Sequence, residues 1–315
     1  MQPVRVWGNG CYDVFHFGHA NFLRQAKVMG DYMIAGVHGD ADITTNKGKP
    51  VMDQVERARM ISAVRWVDEV QENIPYGNVT KTLDDFNCDF CVHGDDIARD
   101  ANGNDIYQEC KDTNRFRECK RTEGISTTDL IDRILLGTDF KFDAANISRK
   151  GGPTKAVIMP KEYYQQKIKE FSVSSRDPKE GDKILYAQGV YDLFHSGQVD
   201  FLQKCKESEL NGFLIVGVVS DEEVNRIYGT YPITNVYERA LALMSCRYVD
   251  KVEIGVRFEV TQKVLDTYKV MLTQYCSISF IVLDLNLQDM AETTVLNNRT
   301  GSSIYRFFHV TSSKL

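Results

Sequence analysis

No apolar run in this chain approaches the roughly 18 residues that a membrane-spanning helix needs. The N-terminus also lacks the charged-then-apolar pattern of a signal peptide. A basic excess is missing too: 38 Lys and Arg face 44 Asp and Glu, for a formal net charge of −6. That balance argues against nucleic acid or another large polyanion, whose recognition rests on a basic face. A small anionic ligand needs only a local cluster and stays allowed. Nor do the eight cysteines form a disulfide framework. Cys88 and Cys91 make one C-x-x-C inside the apolar stretch Phe86–Val92, with no second pair at zinc-finger spacing. They read as buried, reduced thiols, so a cytoplasmic, reducing compartment is expected. With 43% hydrophobic and 26% charged residues, the composition is that of an ordinary soluble globular protein.

What the chain does have is a passage written twice. Residues 5–27, RVWGNGCYDVFHFGHANFLRQAK, align without a gap with residues 184–206, ILYAQGVYDLFHSGQVDFLQKCK. Each holds an apolar strand, a glycine turn (Gly8 and Gly10 in the first), Tyr-Asp-x-Phe-His and an amphipathic helix. A long fixed period with the same order of elements signals duplicated domains, and 315 residues suit about two. The copies differ at one telling place, His16-Phe17-Gly18-His19 against His195-Ser196-Gly197-Gln198. One copy is equipped for chemistry and the other is retired.

In the first copy, strands are expected at Val4–Gly8, Asp31–Val37, Glu69–Gln71 and Asp89–His93. Helices alternate with them at Ala20–Met29, Val55–Val64 and Thr80–Phe86, and His38 to Pro50 reads as a polar loop broken by Gly39, Gly48 and Pro50. The second copy repeats the order, and its Arg247-Tyr248-Val249-Asp250 echoes Arg65-Trp66-Val67-Asp68. Such alternation implies an α/β fold of two tandem Rossmann-like domains, each a parallel sheet with helices on both faces. Boundaries are expected at 1–140, at 141–182 for a docked connector containing helical Lys161–Glu170, and at 183–315. Ligands of such sheets sit at the carboxyl ends of strands, where His16, Gly39 and His93 would project.

His16 and His19 stand three apart at a helix start, so they can share a face beside the positive end of its dipole. Gly18 between them would let an anion approach the backbone. Two imidazoles and free N–H groups suit a phosphate that gains charge during reaction; a metal pair or a structural histidine pair is the alternative, though no third ligand is evident. Arg121-Thr122-Glu123-Gly124-Ile125-Ser126-Thr127-Thr128-Asp129 precedes an apolar-periodic helix. Ser126 and Asp129 fit a capping box, which leaves Arg121, Gly124 and further hydroxyls at a helix start suited to a polyphosphate. Lys47-Gly48-Lys49 is either a solvated turn or a lysine on a glycine hinge that closes over phosphates. Arg57 at a helix start needs an anionic neighbour.

Together, H-x-G-H after a strand, the Lys-Gly loop, Glu-Arg at a helix start, His93-Gly94-Asp95-Asp96 and Arg-Thr-x-Gly-x-Ser-Thr-Thr resemble the cytidylyltransferases of phospholipid and teichoic-acid precursor synthesis. The resemblance covers residues 4–136 closely. It implies that His16 and His19 stabilise the α-phosphorus of CTP, that Gly8, Gly10 and Gly18 help bind the CTP, and that Lys47 and Arg121 neutralise phosphate charge with Arg57 in support. Ser126, Thr127 and Thr128 would hold the outer phosphates, while His93, Gly94, Asp95, Asp96 and Thr122 would frame cytosine and ribose. Mg2+ is implied with the CTP. Tandem copies resemble the members that take phosphoethanolamine as acceptor; members taking phosphocholine or glycerol-3-phosphate carry one catalytic domain and are the alternative, as is a noncatalytic nucleotide-binding protein. For the acceptor amine the resemblance points to Asp13, Tyr76 and Tyr107, with core packing the competing role for either tyrosine. A homodimer is an allowed assembly.

The second copy departs from this pattern. Gln198 replaces the second histidine, and Tyr228-Gly229 stands where Lys-Gly is expected. Ser279–Leu283 reads as a strand with no His-Gly-Asp-Asp after it, and Arg299–Ser303 only faintly echoes the Arg-Thr stretch. Glu238 and Arg239 survive, which structure alone could explain.

Overall fold

The computed structural model describes residues 2–136, 159–173, 175–275 and 304–305. The first copy opens with β1 (Arg5–Gly10), α1 (Phe17–Val28), β2 (Tyr32–His38), α2 (Asp40–Asn46), α3 (Gln54–Ser62) and β3 (Glu69–Ile74). It continues through α4 (Val79–Asp85), β4 (Phe90–Gly94), α5 (Gln108–Asp112), β5 (Phe116–Cys119) and α6 (Thr127–Leu136). Helix α7 (Lys161–Ser172) follows, then β6 (Lys183–Gly189), α8 (Ser196–Glu207), β7 (Gly212–Val219), α9 (Asp221–Tyr228) and α10 (Val236–Ser245). The described residues end with β8 (Lys251–Val256), α11 (Gln262–Tyr268), β9 (Leu272–Tyr275) and β10 (Ile304–Tyr305).

Both sheets are parallel, in the orders β3-β2-β1-β4-β5 and β10-β9-β6-β7-β8. Strand alternation divides each sheet between two cores. Val6, Met33, Ala35 and Val37 enter the cluster shared with α1 and α3, while Trp7 and Ile34 pack on the other face with Val79 and Leu83 of α4. Strands buried on both faces read as continuous apolar runs, which is why β2 is legible in the sequence. In the first sheet the order reverses at β1, so a crevice opens where β1 and β4 end.

Two expectations need correction. Strand β1 runs straight through both glycines instead of turning there; a Cβ at Gly8 would crowd Met33 Cε at 2.7 Å and the Phe22 ring at 3.1 Å. The chain reverses just after, at Tyr12 and Val14 in the left-handed region (φ 54° and 45°), and again at Tyr191 and Leu193 (57° and 46°). The polar loop His38–Pro50 contains helix α2, which buries only Ile43 and so shows no apolar period.

One face of each sheet meets in a common core, where Leu23, Met60 and Ile61 join Leu202, Leu241 and Leu243. The echoed tetrapeptides form a self-complementary seam across it. Arg65 N donates to Ser245 O and Arg247 N to Ala63 O, both at 2.8 Å, and Val64 and Cys246 bridge antiparallel. The Arg65 guanidinium reaches Cys246 O and Val249 O, while that of Arg247 reaches Val64 O and Val67 O. Helix α7 docks on the same core: Phe171 meets Trp66 edge-on at 5.0 Å, and Glu170 pairs with Arg24 at 2.8 Å. The segments Ser279–Leu283 and Arg299–Ser303 lie outside the described residues.

Candidate active site

The crevice is a cavity of about 580 Å3 lined by residues from the ends of β1 and β4, the start of α1, the loop after α2, and the turn into α6. At its heart His16 and His19 stack with ring centroids 3.9 Å apart. His16 is the N-cap of α1, and its Nδ1 accepts from Gly18 N at 3.1 Å. That bond leaves the ring proton on Nε2. Burial and neighbouring cations hold both rings neutral, His16 well below its ordinary value and His19 down at about 3. The cations acting on His19 are Lys47 and Arg121, which also line the cavity. A neutral imidazole pair ringed by cations and helix N-termini is arranged to accept negative charge.

Lys47 follows α2 as its C-cap, with its ammonium 5.5 Å from the Tyr76 ring centroid. The half-exposed Arg121 lies 3.4 Å from Asp96 and donates its backbone N–H to Asp95 at 3.2 Å. Across the cavity, Ser126, Thr127 and Thr128 lead into α6. Ser126 Oγ accepts from Asp129 N at 3.0 Å and the Thr127 hydroxyl donates to Asp13 O at 2.9 Å, so the serine half of the expected capping box forms beside a link to the turn after β1, while the Asp129 carboxylate pairs with Arg133. Thr122 is held by Asn21 Nδ2 at 2.9 Å. His93 and Gly94 line the cavity at the end of β4.

The structure brings together His16, Gly18, His19, Lys47, His93, Gly94, Asp96, Arg121, Thr122, Ser126, Thr127 and Thr128, with Gly10 and Asp13. It does not bring Gly8, Arg57, Asp95, Tyr76 or Tyr107 to the cavity wall. Arg57 is fully buried and donates to Met52 O, Cys11 O, His38 O and Asp40 Oδ1. Arg239 repeats the pattern with Thr234 O, Val190 O, Val219 O and Asp221 Oδ1. A copy without the second histidine keeps the whole cluster, so Arg57 ties loops together and Asp40 is the anion it needed. Asp13 has the same double: its oxygens accept from Val14, Val51 and Met52 N–H groups, as those of Asp192 do from Leu193, Ile233 and Thr234. Those bonds give both Asp13 oxygens a structural role beside the cavity. Tyr76 and Tyr107 lie one layer beneath, packed on His38 and His93 at 5.0 and 4.7 Å.

Asn9 is a residue the sequence does not single out. Its Oδ1 accepts from Trp7 Nε1 and Tyr107 OH, both at 3.1 Å, and its Nδ2 donates to His38 Nε2 at 3.2 Å. It therefore fixes the cavity floor. The available signal is a polar residue in a buried strand at the same register in both copies, since Gln188 accepts from Tyr186 OH at 2.9 Å. In the second copy Gln198 turns back to accept from His195 N at 3.3 Å, so the position of the second histidine serves the helix start.

The cytidylyltransferase-like family model matches residues 7–133 and 186–310. Ethanolamine-phosphate cytidylyltransferase from Mus musculus is 43% identical over 97% of this chain and 80% of the relative. The protein of the same name from Dictyostelium discoideum is 44% identical over 84% of the chain and 77% of the relative. Choline-phosphate cytidylyltransferase A from Rattus norvegicus is 34% identical over 57% of the chain and half of the relative. No helix among the described residues is long and apolar enough to cross a membrane. Matched in both of its copies and along nearly its whole length, the chain belongs to the cytidylyltransferase-like family.

Proposed function

We propose that the first copy transfers CMP from CTP to phosphoethanolamine, giving CDP-ethanolamine and pyrophosphate, a step toward phosphatidylethanolamine. The observation that carries this reading is the stacked, neutral His16–His19 pair in one cavity with Lys47, Arg121 and the start of α6. The acceptor's phosphate oxygen attacks the α-phosphorus in line, a new P–O bond forms, and the bond to the bridging oxygen breaks as pyrophosphate leaves. Little covalent chemistry is asked of the protein; position and charge supply most of the rate. His16 presents Nε2–H to the α-phosphate, and His19 stands in contact beside it. Lys47 and Arg121 offset the triphosphate charge, Arg121 exchanging Asp96 for phosphate. The hydroxyls and free N–H groups at the start of α6 hold the outer phosphates.

Mg2+ bound with the CTP would supply charge neutralisation at the triphosphate, as an oxygen-seeking cation. The chain's contribution would be the Asp96 carboxylate, because both Asp13 oxygens already hold backbone N–H groups. The choice of phosphoethanolamine rests on the two relatives named for it, which match both copies, whereas the choline-phosphate relative matches little more than half the chain.

The test is pyrophosphate release from CTP with phosphoethanolamine, phosphocholine or glycerol-3-phosphate. Phosphoethanolamine should support the highest kcat/KM. His16→Ala should remove turnover, by roughly 100- to 1,000-fold as for other preorganised donors, and His195→Ala should retain most of it. Equal losses from the two variants, or turnover with none of the acceptors, would overturn the reading.

A further inference from the structure

Arg133 belongs to α6, one turn beyond the threonines that border the cavity, yet its guanidinium does not face the cavity. It is buried, and it reaches into the second copy. Nη1 donates to Glu238 Oε2 at 2.8 Å and Nη2 to Glu238 Oε1 at 3.2 Å, a two-pronged pair with both side chains 1% exposed. A third bond runs from Nη1 to Ile233 O at 3.3 Å, and Asp129 lies 2.7 Å from Nη2 on the same helix.

Glu238 is held from every side. Its Oε2 accepts from Asn235 N at 2.9 Å, and Tyr164 of α7 lies 3.3 Å from its Oε1. The equivalent of Glu238 in the first copy is Glu56, which is exposed and does no more than complete the capping box with Asp53. The copies share the cap, and among the described residues only Glu238 also holds an arginine from the other copy. A narrow interdomain crevice lined by both His16 and Glu238 runs behind the histidine pair, and Arg133 is among the cations that act on His16.

We infer that Glu238 of the second copy is a positioning residue for the first copy's site, acting through Arg133 to fix the start of α6 against the outer phosphates of the nucleotide. The inference rests on the reading of α6 as the triphosphate end of the CTP site. It assigns the retired copy a part in substrate binding. A planar, two-pronged pair sets both position and rotation of the helix it grips, whereas a hydrophobic contact would allow sliding. Buried pairs of this kind are poor stabilisers compared with apolar replacements, so geometry is the better account of its presence.

The test measures CTP and CMP binding by calorimetry and the KM values of both substrates in the full chain. Wild type, Glu238→Gln and the double variant Arg133→Met with Glu238→Gln are compared. Glutamine keeps the cap on α10 and leaves Arg133 its Asp129 partner, and the double variant removes the guanidinium altogether, so it serves if the single one folds poorly. In both, CTP should bind about tenfold more weakly, CMP within twofold of wild type, and the phosphoethanolamine KM within twofold. The double variant should regain the melting temperature lost by Glu238→Gln without regaining CTP affinity. Wild-type CTP affinity in the double variant, or equal weakening of CTP and CMP, would reduce the pair to a structural role and overturn the inference. Failure of wild type itself to bind CTP would instead strike the reading of the site.

Discussion

At Gly18 a Cβ would stand 2.8 Å from both Cε1 and Nδ1 of His16 and 3.0 Å from Ile125 Cγ2. By sequence the residue is a gap for an approaching anion; its first duty is to leave room for the imidazole it also anchors through its N–H. Gly197 is less crowded, with His195 atoms at 3.2 and 3.3 Å. Gly18→Ala should therefore displace His16 and lower kcat about 100-fold, close to 3 kcal/mol of transition-state stabilisation, while Gly197→Ala leaves it within a few-fold. Pyrophosphate release on both variants decides, and similar losses would contradict the account. That His16, His19, Lys47 and Arg121 gather at one cavity is legible in the sequence, because each stands beside a helix start or a glycine hinge next to a strand end. The place of Tyr76 and Tyr107 is not, because a loop sequence does not tell which way an aromatic ring points.

Elements carry a second lesson, through α3 and α10. Each begins with an asparagine or aspartate cap, a Glu at its third position and a fully buried arginine next to it. Arg57 and Arg239 each satisfy three backbone carbonyls and one aspartate, and lysine's single ammonium cannot reproduce that fork. Arg57→Lys and Arg239→Lys should each cost roughly 2–4 kcal/mol of stability, measured by urea unfolding. If Arg57 served phosphate instead, Arg57→Lys would cost activity at unchanged stability, unlike Arg239→Lys. The long apolar strands and the helices α1, α7, α8 and α10 are legible from pattern alone, to within a few residues at their ends. Helices α2 and α5 and strand β5 are not: each of them buries one side chain, Ile43, Cys110 and Cys119 respectively, too few to print a period on the sequence.

Across the whole molecule the two copies behave as one body, because their inner sheet faces and α7 share a core and the Arg65 and Arg247 seam closes it. The duplication is legible, and the echoed tetrapeptides are visible, but that they grip each other is not, since a repeat does not announce which of its surfaces is self-complementary. Burial on this scale has a further consequence for acid stability. Of the six histidines, five lie among the described residues, and burial is the first cause that lowers all five: His16 and His93, His19 to about 3, His38 to about 4, and His195. Above pH 6.5 folded and unfolded chains both carry neutral imidazoles, and stability is indifferent to them. Below it the unfolded chain takes up protons that the folded chain refuses, so stability falls as pH falls, until each folded value is reached. One unit below 6.5, the three held furthest down, His16, His19 and His38, should each have withdrawn roughly 1 kcal/mol, roughly 3 kcal/mol in all. This window lies above the carboxylate range, where lowered groups such as Glu223, held at about 2 by Arg226, begin to lose their contribution. Urea unfolding across the interval should thus show a drop before the lowered carboxylates titrate. Substituting His38 by Asn, which keeps a donor for Ile74 O, should make the drop about a third smaller. A flat or rising profile from 6.5 downward would mean that these imidazoles are solvated and protonated in the folded chain, and with them the neutral pair at the centre of the site.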